Sequence, residues 1–120
     1  MKKRIINLSG HNLDIYDPRT GERIVHQKSI KKATRVGERV EMVDMLTLDN
    51  GIQIPLIEKH YEEVINYPER QIGTVFFVSY HVANKLWPEG RDDVMIVGEP
   101  WRDENGRQIG CCSLSRNPKS

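Results

Sequence analysis

The sequence predicts an α+β fold, a mostly antiparallel β-sheet or small barrel with one short helix after its central strand. Short segments of alternating apolar and polar residues are separated by turn residues, which is typical of antiparallel strands. The most apolar segment, "GTVFFVS" (73–79), predicts a buried strand. The next segment, "SYHVANKLW" (79–87), has its apolar residues at helical spacing. The 120 residues fit one domain, which we expect over residues 1–115, with a disordered tail at 116–120.

The first elements are predicted to form a hairpin. In segment 4–16 the apolar residues alternate with polar ones, as in a strand with one buried face. "DPRTG" (17–21) predicts a turn, because Asp17 can accept a hydrogen bond from nearby backbone and Pro18 fixes φ. "ERIVHQ" then returns along the first strand, so we expect a hairpin over Asn12–His26.

The middle of the chain reads as strand, turn and strand. A basic loop (28–33) leads to a strand that begins near Thr34, and "DNG" (Asp49–Gly51) predicts a second tight turn. Pro55 lacks a backbone N–H, so it confines its strand to a sheet edge or a strand end. Residues 62–67 fit either a strand or a helical turn.

The C-terminal third is predicted to hold the helix, a strand and a hairpin. Ser79 is a suitable N-cap for the helix, and Trp87-Pro88 ends it. "VMIV" (94–97) predicts the following strand. Asn105-Gly106 is the residue pair that most favours a two-residue hairpin turn. The apolar face of the helix consists of Val82, Ala83 and Leu86.

The charge and hydropathy of the chain exclude several classes of partner. Eighteen basic and seventeen acidic side chains nearly cancel, whereas a DNA-coating protein is strongly basic, so we expect no DNA partner. No window approaches the roughly 18 apolar residues of a membrane span, and the start lacks the apolar core of a signal peptide. We therefore expect a cytoplasmic protein with no membrane partner.

Catalytic and metal-binding patterns are not predicted. Ser79 and His81 are two residues apart, so on a helix they would not face each other, and no other nucleophile signature occurs. We expect no catalytic residues and no enzyme activity. Cys111 and Cys112 are adjacent and would point to opposite faces of a strand, which predicts two reduced thiols. The histidines are not at metal-ligand spacing, so neither a metal nor another cofactor is expected.

Candidate ligand-binding residues lie in the C-terminal half. Two Arg-Asp clusters, 91–93 and 102–103, flank a predicted strand and begin a hairpin, so they can lie at one end of the same sheet and converge on an anion. The planar guanidinium of arginine binds phosphate oxygens in pairs. Aromatic rings supply flat faces for a base, and Asn84 can read an adenine edge. The predicted ligand-binding residues are Phe76, Phe77, Asn84, Arg91, Arg102, Asp103 and Arg107.

Each of these residues also has an ordinary structural interpretation. Arg102 and Arg107 can pair across the hairpin with Asp103 or Glu104, for less than about 1 kcal/mol. Strand alternation makes one of Phe76 and Phe77 a core residue and leaves only the other free to stack. The sequence alone leaves an anion pocket and a salt-bridged surface both open.

Several motifs resemble those of a group of small proteins encoded by phages and prophages. "GTVFFVSYHVA", "RDDV", "GE" and "WRDENGRQIGC" follow one another in the order of that group, mainly within Gly73–Cys111. "IINLSGH" is similar to the group's opening motif, although Ser9-Gly10 stands where the group usually has Thr-Pro. The chain thereby resembles the first family of Thoeris anti-defence proteins.

That resemblance implies a ligand and an assembly. Members of the family bind cyclic ADP-ribose isomers made by bacterial TIR-domain enzymes and hold them without cleavage, and some also bind cyclic oligonucleotides at separate sites. They are built from an antiparallel sheet with short helices and form dimers or hexamers whose pockets are shared between subunits. Their pocket uses aromatic, Asn and Arg residues, which match by type Phe76 or Phe77, Asn84, Arg102 (through the "RDE" motif) and Arg107.

We therefore expect a non-catalytic protein that sequesters a cyclic nucleotide immune signal and so counters anti-phage defence. It would act in the host cytoplasm as a homo-oligomer, a dimer or hexamer. Two other interpretations stay open. One is a phage structural or protein-interaction module with an apolar face for partners and no nucleotide ligand. The other is an enzyme that degrades the same signal.

Overall fold

A computed structural model describes residues 3–118 of the chain. The helix α1 is Tyr80–Leu86, and a 3-10 turn at Trp87–Glu89 continues it. The strands are β1 (Arg4–Asn7), β2 (Leu13–Tyr16), β3 (Arg23–Gln27), β4 (Arg35–Thr47), β5 (Gln53–Ile65), β6 (Thr74–Phe77), β7 (Val94–Val97), β8 (Pro100–Arg102), β9 (Gln108–Cys111) and β10 (Leu114–Ser115).

These strands form two four-stranded sheets and a separate two-stranded ribbon. The first sheet has the order β1-β6-β7-β10 and the second the order β3-β2-β9-β8. Strands β1, β6 and β7 are parallel, as are β2 and β9, whereas the hairpins are antiparallel. The predicted α+β class, mostly sheet with a single short helix, is confirmed. The small-barrel alternative is wrong, because the strands of residues 3–118 stay in separate sheets and do not close.

The central strand β6 is buried on both faces. Phe76 packs with Val78 and the apolar face of α1 in a first core. Phe77 packs with Leu13 and Ile15 of the second sheet in a second core. The first sheet thus lies between α1 and the second sheet, which explains why β6 is a continuous apolar run rather than an alternating one.

The helix follows its sequence signals closely. The backbone of Ser79 is extended, and its hydroxyl accepts a hydrogen bond from the Val82 amide, 3.4 Å away, so the predicted N-cap is confirmed. The apolar residues predicted for the inner face, Val82, Ala83 and Leu86, are all completely buried. Proline 88 lies in the 3-10 turn, which ends at Gly90 with a φ of 81°.

The predicted hairpins are also confirmed. Strands β2 and β3 pair across the turn at 17–22, and β8 and β9 pair across the turn that contains Asn105-Gly106. Strands β4 and β5 pair along their whole length, so the ambiguous residues 62–65 are strand. Pro55 lies within β5, where it is tolerated because a two-stranded ribbon consists of edge strands only.

The C-terminal segment departs from its prediction. Asn117 is 4% exposed, and its side-chain amide donates a hydrogen bond to the Trp87 carbonyl oxygen, 3.1 Å away. The expected disordered tail is therefore wrong at this position, because Asn117 packs against the helix. Residues 119 and 120 lie outside the described part of the chain. Within residues 3–118, no helix is long and apolar enough to cross a membrane.

Candidate ligand-binding cleft

A cleft of about 480 Å³ lies beside the outer face of α1. Tyr80 and Asn84 are one helical turn apart, so they point to the same side, opposite the buried face of the helix. The 3-10 turn extends this wall with Trp87 and Pro88, and Ile96 of β7 forms the floor. The C-terminal segment 115–118 forms the opposite wall. Clefts between about 300 and 1,000 Å³ are of the size that holds small ligands.

Hydrogen bonds fix the walls of this cleft before any ligand binds. The indole Nε1 of Trp87 donates to the Val94 carbonyl oxygen, 2.9 Å away. The bond from Asn117 to the Trp87 carbonyl joins the C-terminal segment to the helix end. The Tyr80 ring is 61% exposed, and the Asn84 amide makes no hydrogen bond within residues 3–118. A flat ring and a free amide thus face the same space, ready to contact a planar, polar molecule.

A second hollow of about 370 Å³ adjoins the first and shares Tyr80 and Ile96 with it. It lies where the parallel strands β1, β6 and β7 end, and Ser9, His11 and Asn12 form one side. Apart from Ser79 and Tyr80, its remaining lining is apolar. Because Tyr80 and Ile96 line both hollows, we describe the two together as one groove. Ligands commonly bind at the carboxyl ends of parallel strands, which is where this groove lies.

Arg91 is not available to this groove. Its side chain is 5% exposed, and its Nε and Nη2 atoms donate to the two carboxylate oxygens of Asp93 at 2.8 and 2.9 Å. The guanidinium also lies 5.3 Å from the centre of the Tyr67 ring. The bond to Asp93 raises the pKa of Arg91 above its usual value, although burial acts in the opposite direction. Asp93 already occupies the guanidinium of Arg91, and the predicted role of Arg91 in anion binding stays a prediction.

Arg102, Asp103 and Arg107 lie elsewhere, at the β8–β9 turn of the second sheet. Asp103 accepts hydrogen bonds from the backbone amides of Asn105 and Arg107 at 2.9 and 3.0 Å, which shapes the turn. Arg102 donates to the Gly106 carbonyl oxygen, 3.0 Å away. Neither arginine forms an ion pair within residues 3–118, so the predicted pairing across the hairpin does not form.

The two Arg-Asp clusters therefore do not share a sheet, and the expectation that they do is wrong. The chain leaves the first sheet after β7 and enters the second at β8. At this crossing Gly98 lies so close to Ser113 that an added Cβ would overlap it. Convergence within one copy of the chain is thus prevented by a change of sheet between the clusters.

Phe76 and Phe77 are placed in the cores rather than at the surface. They are 2% and 4% exposed, so the expectation that one of them is free to stack is wrong. The reason is the double cover of β6, with α1 on one side and the second sheet on the other. Trp101 is also engaged, because its ring stacks on Tyr16 with centroids 6.0 Å apart.

Sequence reasoning missed two basic residues, Arg70 and Arg116. Arg70 donates to Asp92 at 2.7 Å and to the Gly90 carbonyl at 2.9 Å, and its bond lowers the pKa of Asp92. Arg116 is exposed, lies between cleft residues Ser115 and Asn117, and forms no ion pair within residues 3–118. Arg116 follows the last strand in a segment of polar residues, so no sequence pattern singled it out.

No metal site accompanies the cleft: residues 3–118 contain no group of three or more His, Cys, Asp or Glu side chains placed to hold an ion. Both cysteines are free thiols, and burial raises the pKa of Cys111. Comparisons with protein-family models, with curated proteins and with solved structures find no match for this chain.

Proposed function

We propose that the protein is a non-catalytic binding protein that sequesters a cyclic nucleotide signal of the cyclic ADP-ribose type. One observation carries the proposal: Tyr80, Asn84 and Trp87 line a single cleft of about 480 Å³ whose walls are already held by hydrogen bonds. A preformed wall reduces the entropy lost on binding, which favours tight retention of a ligand.

The chemistry of the cleft suits the parts of such a ligand. Stacking of a base on an aromatic ring contributes about 1–3 kcal/mol, and the exposed Tyr80 ring offers that face. Asn84 presents both a donor and an acceptor, the pair that an adenine edge requires. Arg116 lies in sequence between Ser115 and Asn117 of the cleft wall, and we propose that its exposed side chain turns toward a bound phosphate.

A pyrophosphate calls for more than one arginine, and Arg102 and Arg107 lie on the other sheet of the same copy. The resemblance implies pockets shared between subunits, so we propose that the β8–β9 turn of a second copy brings these arginines to the cleft. Their guanidiniums carry no ion pair within residues 3–118, which leaves them able to bind phosphate oxygens.

The test is capture of an intact ligand. Purified protein is incubated with the cyclic ADP-ribose isomers made by TIR-domain enzymes, free ligand is filtered off, the protein is denatured by heat, and the released molecules are identified by mass spectrometry. We expect the unchanged isomer. Released product would make the protein an enzyme instead. If nothing is captured, the same assay with cyclic oligonucleotides follows, and a second negative result overturns the proposal.

Variants locate the captured ligand. Tyr80→Ala and Asn84→Ala should each lower affinity about tenfold, because each removes one contact of roughly 1–2 kcal/mol. Lys85→Ala is the matched control, since Lys85 lies on the same helix but lines a different hollow, between the helix and the β4–β5 ribbon. Arg102→Ala should weaken capture with the fold intact. Unchanged capture in Arg102→Ala removes the second copy from the site, and unchanged capture in Tyr80→Ala removes the cleft.

A second candidate function, a structural or protein-interaction module, is favoured by a different observation. The β4–β5 ribbon, residues 35–65, exposes large apolar side chains along its outer half, for example Met42 at 65% and Ile52 at 55%. Monomeric proteins rarely leave such contiguous apolar surface in water. This candidate predicts stable association with a partner and no capture of any nucleotide.

A further inference from the structure

The β4–β5 ribbon, which we call the arm, projects from the rest of the molecule. At its base Val36 and Val64 pack on the first core, and the Tyr61 ring stacks on His81 with centroids 4.7 Å apart. Each strand has thirteen residues, a length of about 43 Å. The radius of gyration is 18.2 Å, whereas a compact domain of this length has about 14 Å. The distal half of the arm, residues 40–58, therefore stands in solvent.

Both faces of this distal half are apolar. In the paired register Met42 lies opposite Ile57 on one face of the ribbon, and Leu46 lies opposite Ile54 on the other. A bulge between Met42 and Asp44 shifts the register between these pairs. A two-stranded ribbon is only marginally stable in water by itself. The side chains concerned, each 39–65% exposed, are Met42, Met45 and Ile57 on one face and Leu46, Ile54 and Leu56 on the other.

The charges of the arm are separated along its length. The distal half (40–58) carries four acidic side chains and no basic one. The base of the arm (35–39 and 59–65) carries three basic and three acidic side chains, and the loop that precedes it (28–34) adds Lys28, Lys31 and Lys32. The base and this loop, which we together call the proximal part, therefore carry six basic side chains and three acidic ones. Lys31, Lys32 and Arg35 are exposed and form no ion pair within residues 3–118. The acidic distal half is therefore electrostatically complementary to the proximal part, mainly to the lysines of its loop.

We infer that the arm pairs with the arm of a second copy of the chain, antiparallel and related by a two-fold axis. In that arrangement the acidic distal half of each arm lies on the basic proximal part of its partner, and the contact occurs twice by symmetry. Met42 and Ile57 of the two arms then meet at the centre, and the other apolar side chains of each distal half lie against the proximal part of the partner's arm. The inference does not depend on the cleft or on what the cleft binds.

The same charges exclude two other arrangements. Parallel arms would place four acidic side chains against four more, which repels. A membrane surface is disfavoured because anionic lipids attract basic segments, and residues 40–58 contain no Lys or Arg. A different protein partner would have to match the same acidic-to-basic gradient that a second copy already supplies.

The test is charge exchange, followed by sedimentation across a range of concentrations. The wild-type protein should be a dimer, and Asp44→Lys with Asp49→Lys should raise the dimer Kd at least tenfold. Glu22→Lys with Glu69→Lys is the matched control, since it changes the net charge equally at exposed sites outside the arm and outside the β8–β9 turn. Lys31→Glu with Lys32→Glu should weaken the dimer similarly.

The decisive variant carries both charge exchanges in one chain. Asp44→Lys/Asp49→Lys and Lys31→Glu/Lys32→Glu each self-associate poorly, and placing all four substitutions in one chain should restore the dimer to within a few-fold of the wild type. A tighter dimer in Asp44→Lys/Asp49→Lys overturns the antiparallel arrangement, because only parallel arms gain from it. A wild-type monomer at all concentrations overturns the inference itself. Ligand capture by the same variants is measured separately, so failure of the cleft and failure of the arm give different results.

Discussion

The helix α1 and the arm use apolar residues in opposite ways. On α1, Val82 and Leu86 are completely buried within one chain, and the polar face they leave outward forms the cleft. On the arm, Met42 is 65% exposed and no element of residues 3–118 covers it. The comparison teaches that apolar content serves two purposes here. One part forms the buried core behind the cleft, and the other part stands exposed on the arm.

The largest expected effect separates these two purposes directly. Leu86→Ala should lower the free energy of unfolding by about 2–5 kcal/mol, because it leaves a cavity in the first core. Ile57→Ala on the arm removes a similar number of atoms, and it should change the free energy of unfolding by no more than about 0.5 kcal/mol. Both are measured by urea unfolding in the Asp44→Lys/Asp49→Lys background, so that arm pairing does not contribute. Equal losses would contradict the distinction between core and arm.

The next largest effect is expected at the buried ion pair of Arg91 and Asp93. Asp93→Asn leaves the Arg91 guanidinium buried without its carboxylate, so the free energy of unfolding should fall by about 3 kcal/mol. Asp92→Asn is the neighbouring control; it changes an exposed carboxylate and should have little effect. Thermal unfolding at pH 7 compares them. A Tm for Asp93→Asn as high as that of Asp92→Asn would show that Arg91 is not held by this pair.

A smaller effect is expected at the start of the helix. Ser79→Ala removes the acceptor for the Val82 amide and should lower the free energy of unfolding by about 1 kcal/mol. Ser79→Thr keeps the acceptor and should lose less. Urea unfolding gives both values. Because the same helix positions Tyr80 and Asn84, ligand capture should also weaken in Ser79→Ala; full capture would mean that the cap is not needed for the cleft wall.

The smallest expected effect is a loss of stability at low pH, when the carboxylates of Asp17 and Asp92 are protonated. Hydrogen bonds from Arg19 and Arg70 lower the pKa values of Asp17 and Asp92 below 3.8 in the folded protein. The stabilisation is therefore complete above the unfolded-state value and is lost as the pH falls from 3.8 through the lowered values. Asp92 is exposed, and Asp17 is partly buried beside an exposed arginine, so the loss should be slight and should shrink further in salt. Urea unfolding of Arg70→Gln across this range should give a flatter pH profile than the wild type; an identical profile would contradict the assignment for Asp92.

Local signals were sufficient for the elements that depend on neighbouring residues. Ser79 as a cap, Asn105-Gly106 as a turn and the burial of Leu86 all follow from short-range geometry, and the structure confirms them. The α+β class follows from the same signals. The arm was predicted only as a strand, a turn and a strand, because bulges after Val36 and Met42 break the alternation that would have marked its faces.

The candidate site depended on contacts that no short segment reveals. Whether Arg91 and Arg102 meet is decided by which sheet each strand joins, and the chain changes sheet between them. Neither Phe76 nor Phe77 is free, because α1 covers one face of β6 and the second sheet covers the other. Asn84 was identified because its helix position is local, and it is the predicted site residue that lines the cleft.

The most direct test of the account is hydrogen exchange with and without a captured cyclic ADP-ribose isomer, read by mass spectrometry along the chain. We predict added protection at the helix (80–88) and the C-terminal segment (113–118), and unchanged exchange in the distal arm (40–58). Protection that appears in the arm while the helix stays unchanged would contradict the account, because it would place the ligand on the surface assigned to the second subunit.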